Sequence, residues 1–351
     1  MLIEQKEITV LIVKPSSFRY REAGSSRIWY MSRELNEQGI KTIIIAGQSE
    51  GDIITGKNII FVKPLVKSGF AGNLLFLFQV AVVMIQTLRK TGINKIIIRS
   101  SMLSPLYIIL KLLGKHLIYD FHGYGYKELL VHGRKHSARV IRVFEWLALK
   151  SVNHILAIRE ELKQSLPKRF QRKTLLMPNG VDLGEFAGPV DDGILDRYSI
   201  PQNKKLVGYN GNWEAWVDIE DFLESVKYFE DDVKVVVAGT GKYLDEYKRR
   251  YPSILFTGNI PFRDAIGILK KMNICVLPYS NEPIAKNKSY RKIYEYMAAG
   301  KPIVISDADS REKFLKDGEN VLMYRAGDSE DLAAKVKLLL NNEGLRGKMS
   351  R

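Results

Sequence analysis

Along the chain, short apolar runs rich in Ile, Val and Leu alternate with longer stretches whose apolar residues recur every three or four positions. In the first half the runs are ITVLIV (8–13), KTIIIA (41–46), NIIFV (58–62), KIIIR (95–99), HLIYD (116–120) and HILAI (154–158). Helical stretches fall at about 25–38, 71–90, 103–113 and 137–150, between most of the runs. β-branched runs bounded by turn residues and alternating with helices predict βαβ units and a mainly parallel sheet. Around PNGVDLGEFAGPVDD (178–192) the pattern breaks into turn residues and acids. It then resumes with KLVGYNG (205–211), VKVVVAG (233–239), SILFTG (253–258), ICVLP (274–278), PIVIS (302–306) and NVLMY (320–324). The expected fold class is α/β: two Rossmann-like, doubly wound domains, 1–187 and 188–351, facing an interdomain cleft. Ligands in such sheets lie at the carboxyl ends of the strands.

Charge divides the halves more sharply than hydropathy does. The 351-residue chain has a formal net charge of +15. Residues 1–180 hold 28 Lys and Arg against 12 Asp and Glu, and residues 181–351 hold 26 against 27. An excess confined to the first half points to an anionic partner there, membrane lipid or nucleic acid, with a merely solvated basic surface as the plain alternative. The aromatic residues sit mostly inside apolar runs rather than interleaved with cations, so nucleic acid is not expected. HGRKHSARVIRVF (132–144) and KRFQRK (168–173) mix cations with apolar residues, which suits an anionic membrane surface. The uncharged stretch Gly69 to Leu88 has the length of a membrane span. Its Asn73, Gln79 and Gln86 favour first a helix packed on the sheet, then one dipping into a membrane, and last a true span. Cys275, the single cysteine, lies in the strand-like NICVLPY, so no disulfide within the chain is expected, as in a reducing compartment. MLIEQKEITVLIVKP lacks the form of a signal peptide. These readings together predict a cytoplasmic protein, peripheral on the inner face of the membrane.

Chemistry collects after the strands. PSSFRYREAGSSR follows the first strand with Gly24 as its only glycine, so it is no dinucleotide fingerprint, yet it can offer N–H groups at a helix start. AGTGKY (238–243) lacks the spacing of a phosphate-binding P-loop, and DADS (307–310) reads as an acidic turn rather than a metal site. The five histidines are scattered, so no metal site is expected. IYDFHGYGYKE puts Asp120 and His122 at a strand's carboxyl end. The densest signal is NKSYRKIYEYMAAGKPIVIS (287–306). Ile293, Tyr296, Met297 and Gly300 share one helical face, Asn287 or Ser289 can cap its start, and Pro302 follows its end. Lys286, Lys288, Arg291 and Lys292 crowd the N-terminal end, where each cation costs roughly 0.3–1 kcal/mol against the helix dipole. A diphosphate bound there reverses that cost. Glu295 is then placed to accept hydrogen bonds from a ribose, or, more plainly, to pair with Lys292 three residues earlier.

At this point the sequence resembles a GT-B glycosyltransferase, most closely the fourth, retaining family in its polysaccharide-building form. The likeness is carried by Gly24, YDFHG (119–123), PNGVD (178–182), VGYNG (207–211), VVVAGTG (235–241), FTGNIP (256–261), CVLPY (275–279) and YEYMAAGKPIVIS (294–306). It implies a nucleotide-diphosphate sugar as donor, UDP- or GDP-linked, held mostly by the second domain, with no cofactor or metal required. Glu295 matches the second glutamate of the family's paired-glutamate motif and would bind the ribose; Asn287 stands where the first glutamate should contact the sugar. Ser289, Tyr290 and Arg291 would meet the diphosphate with backbone N–H groups, Gly211 and Gly24 would line the donor, and Asn259 and Ile260 would border the base. His122 matches a histidine that approaches the donor sugar. The loop GNWEAWVD (211–218) lacks the family's usual Arg and Lys, so Lys292 would neutralise the leaving diphosphate. The catalytic residues expected are His122, Lys292 and Asp120. Retention follows the family likeness, while the missing glutamate keeps inversion open, with Asp120, His122 or Glu128 as base. The acceptor would be a saccharide, lipid-linked, on the basic first domain. The chain stops at LRGKMSR, about where the family's final crossover helix would begin. Rival readings are a nucleotide-sugar epimerase of the same fold and a basic nucleic-acid- or membrane-binding protein without catalysis. A dehydrogenase lacks its glycine fingerprint here.

Overall fold

The structure, a computed structural model, describes residues 8–19, 22–48, 53–66, 70–213, 217–281, 291–309 and 314–350. Of the expected site residues, Asn287, Ser289 and Tyr290 lie outside the described residues, as do Lys286 and Lys288 and residues 214–216 and 310–313. Two compact units meet in sequence inside the PNGVD turn, Met1–Asn179 and Gly180–Arg351.

The first unit is built on seven strands: β1 (Thr9–Ser17), β2 (Lys41–Gly47), β3 (Ile59–Val62), β4 (Lys95–Ile98), β5 (His116–Phe121), β6 (His154–Ala157) and β7 (Thr174–Leu176). They pair in parallel in the order β3-β2-β1-β4-β5-β6-β7. The sheet is covered on both faces, which is why its strands are continuous apolar runs rather than alternating ones. Successive residues still point to opposite sides: Leu11, Val13, Ile96 and Ile98 enter one core, Val10, Ile12, Ile44 and Ile97 the other. The helices α1 (Ala23–Glu37), α2 (Phe70–Thr91), α3 (Ser104–Leu112), α4 (Gly125–Val131) and α5 (Lys135–Ser151) lie among these strands in sequence. The apolar α2 is long enough to cross a membrane. In the fold it packs Val80, Met84 and Leu88 into the sheet core and leaves Leu74, Leu75 and Phe78 exposed. β7 and α4 escape the sequence pattern. β7 is a three-residue edge strand with Leu175 and Leu176 exposed, too short to show a period.

The second unit repeats the wiring with β8 (Lys205–Asn210), β9 (Val233–Ala238), β10 (Leu255–Phe256), β11 (Ile274–Leu277), β12 (Ile303–Ser306) and β13 (Leu322–Tyr324). Their order is β10-β9-β8-β11-β12-β13, again parallel throughout. Both units are therefore Rossmann-like, with the strand order reversing beside the first strand of each. At that reversal neighbouring crossovers lie on opposite faces, which opens a crevice at the carboxyl ends. Cys275 is fully buried in β11, and burial pushes its thiol above the ordinary range.

Candidate active site

In the first unit, the carboxyl ends of β1, β4 and β5 bring together a buried carboxylate and three partners. Asp120 has no exposed side-chain surface. Its Oδ1 accepts from Arg27 Nε on α1 at 3.1 Å. Its Oδ2 accepts from Arg99 Nη1, just beyond β4, at 2.9 Å and lies 2.7 Å from His122 Nε2. Arg27 also donates to the Pro178 carbonyl at 2.8 Å and to Asn179 Oδ1 at 3.3 Å, tying the PNGVD turn to the cluster. Burial alone would raise the Asp120 carboxyl; His122, then Arg99 and Arg27, hold it well below the usual carboxylate range. For His122 burial outweighs the pull of Asp120 and, with Arg99 and Arg27 nearby, takes the ring down to about 4. Asp120 is one of three bases the sequence offers for an inverting reaction; in the structure both its oxygens are engaged and closed to solvent. His122, 22% exposed, is the member of the pair that reaches the surface. Gly24, in the first turn of α1, lies against the Arg99 guanidinium. Nearby, buried Lys14 bonds Glu22 at 2.7 Å.

A second buried acid follows in the same unit. Glu145 on α5 accepts the Gly125 N–H at 2.6 Å, holding the start of α4 three residues past His122. Among the described residues its Oε2 has no hydrogen-bond partner, and burial pushes the carboxyl up to about 7.

In the second unit the expected helix runs Arg291–Ala298. Tyr296 on it is fully buried, and its hydroxyl accepts the Asn210 N–H at 2.7 Å, fixing the helix to the end of β8. This docking sets Lys292 against Gly211. The Gly211 φ is +137°, and a Cβ built there would lie 2.1 Å from Lys292 Cε. Only glycine allows both that backbone and that approach. The Lys292 ammonium also lies over the Tyr209 ring, 5.5 Å from its centre. Glu295 pairs with Arg291 at 2.8 Å, not with Lys292 as the i,i+3 reading supposed. Arg291 is buried, and its guanidinium stands 5.6 Å from the centre of the Phe262 ring. Asn259 is exposed and Ile260 buried in the turn after β10, next to the helix Phe262–Lys271. Thus Lys292, Gly211, Arg291 and Glu295 are brought together, and Asn259 and Ile260 lie past the end of β10, two strands from β8. Among the described residues no group of His, Cys, Asp or Glu has the makings of a metal site.

Sequence reasoning passed over Arg27, Arg99 and Glu145. Arg99 closes the run KIIIR at a strand tip, the same kind of position that singled out Asp120; Arg27 and Glu145 sit inside helices and carry no such mark.

The first unit's surface also stands apart. Ile108, Ile109 and Leu112 of α3, Leu130 and Val131 of α4, and Val140, Val143 and Trp146 of α5 are exposed. Arg134, Lys135, Arg139, Arg142 and Lys150 are exposed on the same two segments, α4–α5. Lys150 lies 4.8 Å from the centre of the Trp146 ring.

Residues 24–185 match the model of Glycosyltransferase Family 4, and residues 204–342 that of Glycosyl transferases group 1. The phosphatidyl-myo-inositol mannosyltransferase of Mycobacterium leprae is 31% identical over 196 residues, 52% of this chain and 49% of that protein. The chain spans about half the length of the curated relatives it matches. Sucrose-phosphate synthase from Thermosynechococcus elongatus superposes with a TM-score of 0.78 at 13% identity, over 98% of this chain and 92% of that one. Anabaena HepE, solved with UDP and glucose, superposes at 0.70 and 14% identity, over 98% and 93%. At such identities the structural likeness is one of fold. With each unit matching its own glycosyltransferase model, in order, on two Rossmann-like sheets, the chain belongs with the GT-B glycosyltransferases of the family 4 type.

Proposed function

We propose that the chain transfers a sugar from a nucleotide-diphosphate donor to a lipid-linked saccharide, in polysaccharide or glycoconjugate synthesis. The observation that carries this reading is Lys292, seated against the Gly211 backbone at the first turn of the helix that also bears Glu295. As the bond from the anomeric carbon to the phosphate oxygen breaks, negative charge grows on the departing diphosphate. A fixed ammonium beside a helix N-terminus stabilises that charge without needing to reorganise. Lys292 supplies it from the protein, so the transfer requires no metal. Glu295, held by Arg291, accepts hydrogen bonds from the ribose hydroxyls, and the backbone of Asn259 and Ile260 borders the base. By the family resemblance, Asn287, Ser289, Tyr290 and Gly24 face the donor, and His122 takes a hydroxyl of the transferred sugar. The donor is UDP- or GDP-linked, with UDP favoured because HepE binds UDP. Retention of configuration is the outcome the family suggests.

The lipid-linked acceptor is supported by the mannosyltransferase relative, whose name specifies a phosphatidyl-inositol, and by the first unit's surface. We assign the basic apolar face of α4–α5 to an anionic membrane at its cytoplasmic side. Co-sedimentation with anionic but not neutral vesicles, released by salt, tests this.

The donor reading is tested by calorimetry with UDP, GDP, ADP and CMP on the wild type, Lys292→Ala and Glu295→Ala. Saturable binding of one nucleotide, weakened by both substitutions, is the expected result. Binding indifferent to both removes the assignment.

A further inference from the structure

We propose that Arg99 is a positioning residue: through Asp120 it fixes His122 as a neutral ring protonated on Nε2, leaving Nδ1 as a bare acceptor. The role for that acceptor rests on the reading above, in which His122 meets a hydroxyl of the transferred sugar.

The derivation begins with Asp120. An ionised carboxylate has no hydrogen to give, so the 2.7 Å contact to His122 requires the proton on Nε2. A neutral ring then carries none on Nδ1, and no other hydrogen bond of the ring is found among the described residues. Arg99 controls both conditions. It donates to the same oxygen, Oδ2, that receives His122, at 2.9 Å, so it keeps that oxygen charged and in place. Its own positive charge also opposes a second proton on the ring. Arg27 binds the other oxygen and anchors the carboxylate from α1. Among the described residues the remaining charges facing the cluster are Lys14 and Glu22, beside Arg99 at the end of β1 and the start of α1, which pair with each other.

Gly24 completes the arrangement. A Cβ there would lie 2.8 Å from Arg99 Nη2 and 3.0 Å from its Cζ and Nε, so the guanidinium can lie against α1 only because this position has no side chain. Gly24→Ala therefore displaces Arg99 without removing its charge from the chain.

The test is a long-range proton–nitrogen NMR spectrum of the histidine-labelled full chain against pH, with His122→Gln assigning the resonance. In the wild type we expect His122 neutral with a bare Nδ1 from about pH 5 upward. Arg99→Met should raise its titration by about one unit or more, and Gly24→Ala should shift it the same way by less. Arg99→Lys should restore wild-type behaviour. Alongside, Arg99→Met should raise the KM for the donor about threefold more near pH 4.5 than at pH 8, with Arg99→Lys spared. A His122 titration and tautomer unchanged in both Arg99→Met and Gly24→Ala overturns the assignment, as does a wild-type ring protonated on Nδ1. An altered ring with an unaltered pH profile of KM overturns its role toward the sugar. A wild type that transfers no sugar sinks the reading of function instead, and the spectra still decide whether Arg99 sets the ring.

Discussion

The two units share one strand order and arrange their charges differently at its reversal. In the first, a carboxylate without exposed surface is enclosed by two arginines and a histidine. In the second, a lysine stands against bare glycine backbone at a helix start, and Glu295 on the same helix faces an arginine of its own. The first sets one buried carboxylate against two arginines, with the histidine on its exposed side; the second carries cations where the dipole already makes them unfavourable. The difference teaches that the sheet fixes where chemistry happens, while the few residues beyond each strand decide what it is. Their surfaces diverge likewise, since the cationic excess and most exposed apolar side chains belong to the first unit.

The comparison breaks most forcefully at its buried charge. Asp120→Ala leaves Arg27 and Arg99 without their shared partner, and urea unfolding should register a loss of about 3–5 kcal/mol. Glu295→Ala, in the more open pair, should cost clearly less in the same assay. An equal loss in both would erase the contrast.

Lys292→Ala should lower kcat about 10²–10³-fold, the scale for removing one fixed charge from a developing oxyanion. Its folding stability should change little. A variant that loses KM alone would mean that Lys292 binds donor and transition state equally.

The pH dependence sharpens the picture of the first unit. Glu145 has its carboxyl raised to about 7 by burial, so the folded state keeps a proton that the unfolded chain releases near pH 4.5. Stability from this group is present below pH 4.5 and lost as pH rises through 7, by on the order of 3 kcal/mol in all. Glu145→Gln accepts the same N–H bond and should not show that decline. Denaturant midpoints of the two proteins from pH 4.5 to 8 measure the difference.

The smallest effect concerns the surface. Arg139→Glu with Arg142→Glu should weaken binding to anionic vesicles by about 1 kcal/mol or more per reversed charge, leaving unit two's nucleotide affinity unchanged. Equal binding by the variant would exclude α5 as the contact.

Much of this was legible beforehand, for identifiable reasons. Twelve apolar runs become strands because buried parallel strands must be apolar on both faces, and among the described strands only the exposed edge strand β7 lacked that mark. The helix of Arg291–Ala298 showed through its buried face of Ile293 and Tyr296. Side-chain partners were less accessible. Nothing in RKIYE says whether Glu295 takes the lysine three residues back or the arginine four back. Docking Tyr296 on Asn210 decides it, by turning Lys292 toward Gly211. Arg27 meets Asp120 across 93 positions of sequence, a contact that only the folded sheet creates.

The central claim is a donor site in the second unit, and isothermal calorimetry of UDP and GDP with the wild type, Lys292→Ala and Glu295→Ala tests it most directly. The account predicts one-site binding of one of the two nucleotides, weakened about tenfold or more by each substitution. Binding of neither nucleotide by the wild type, or equal binding by all three proteins, would contradict it.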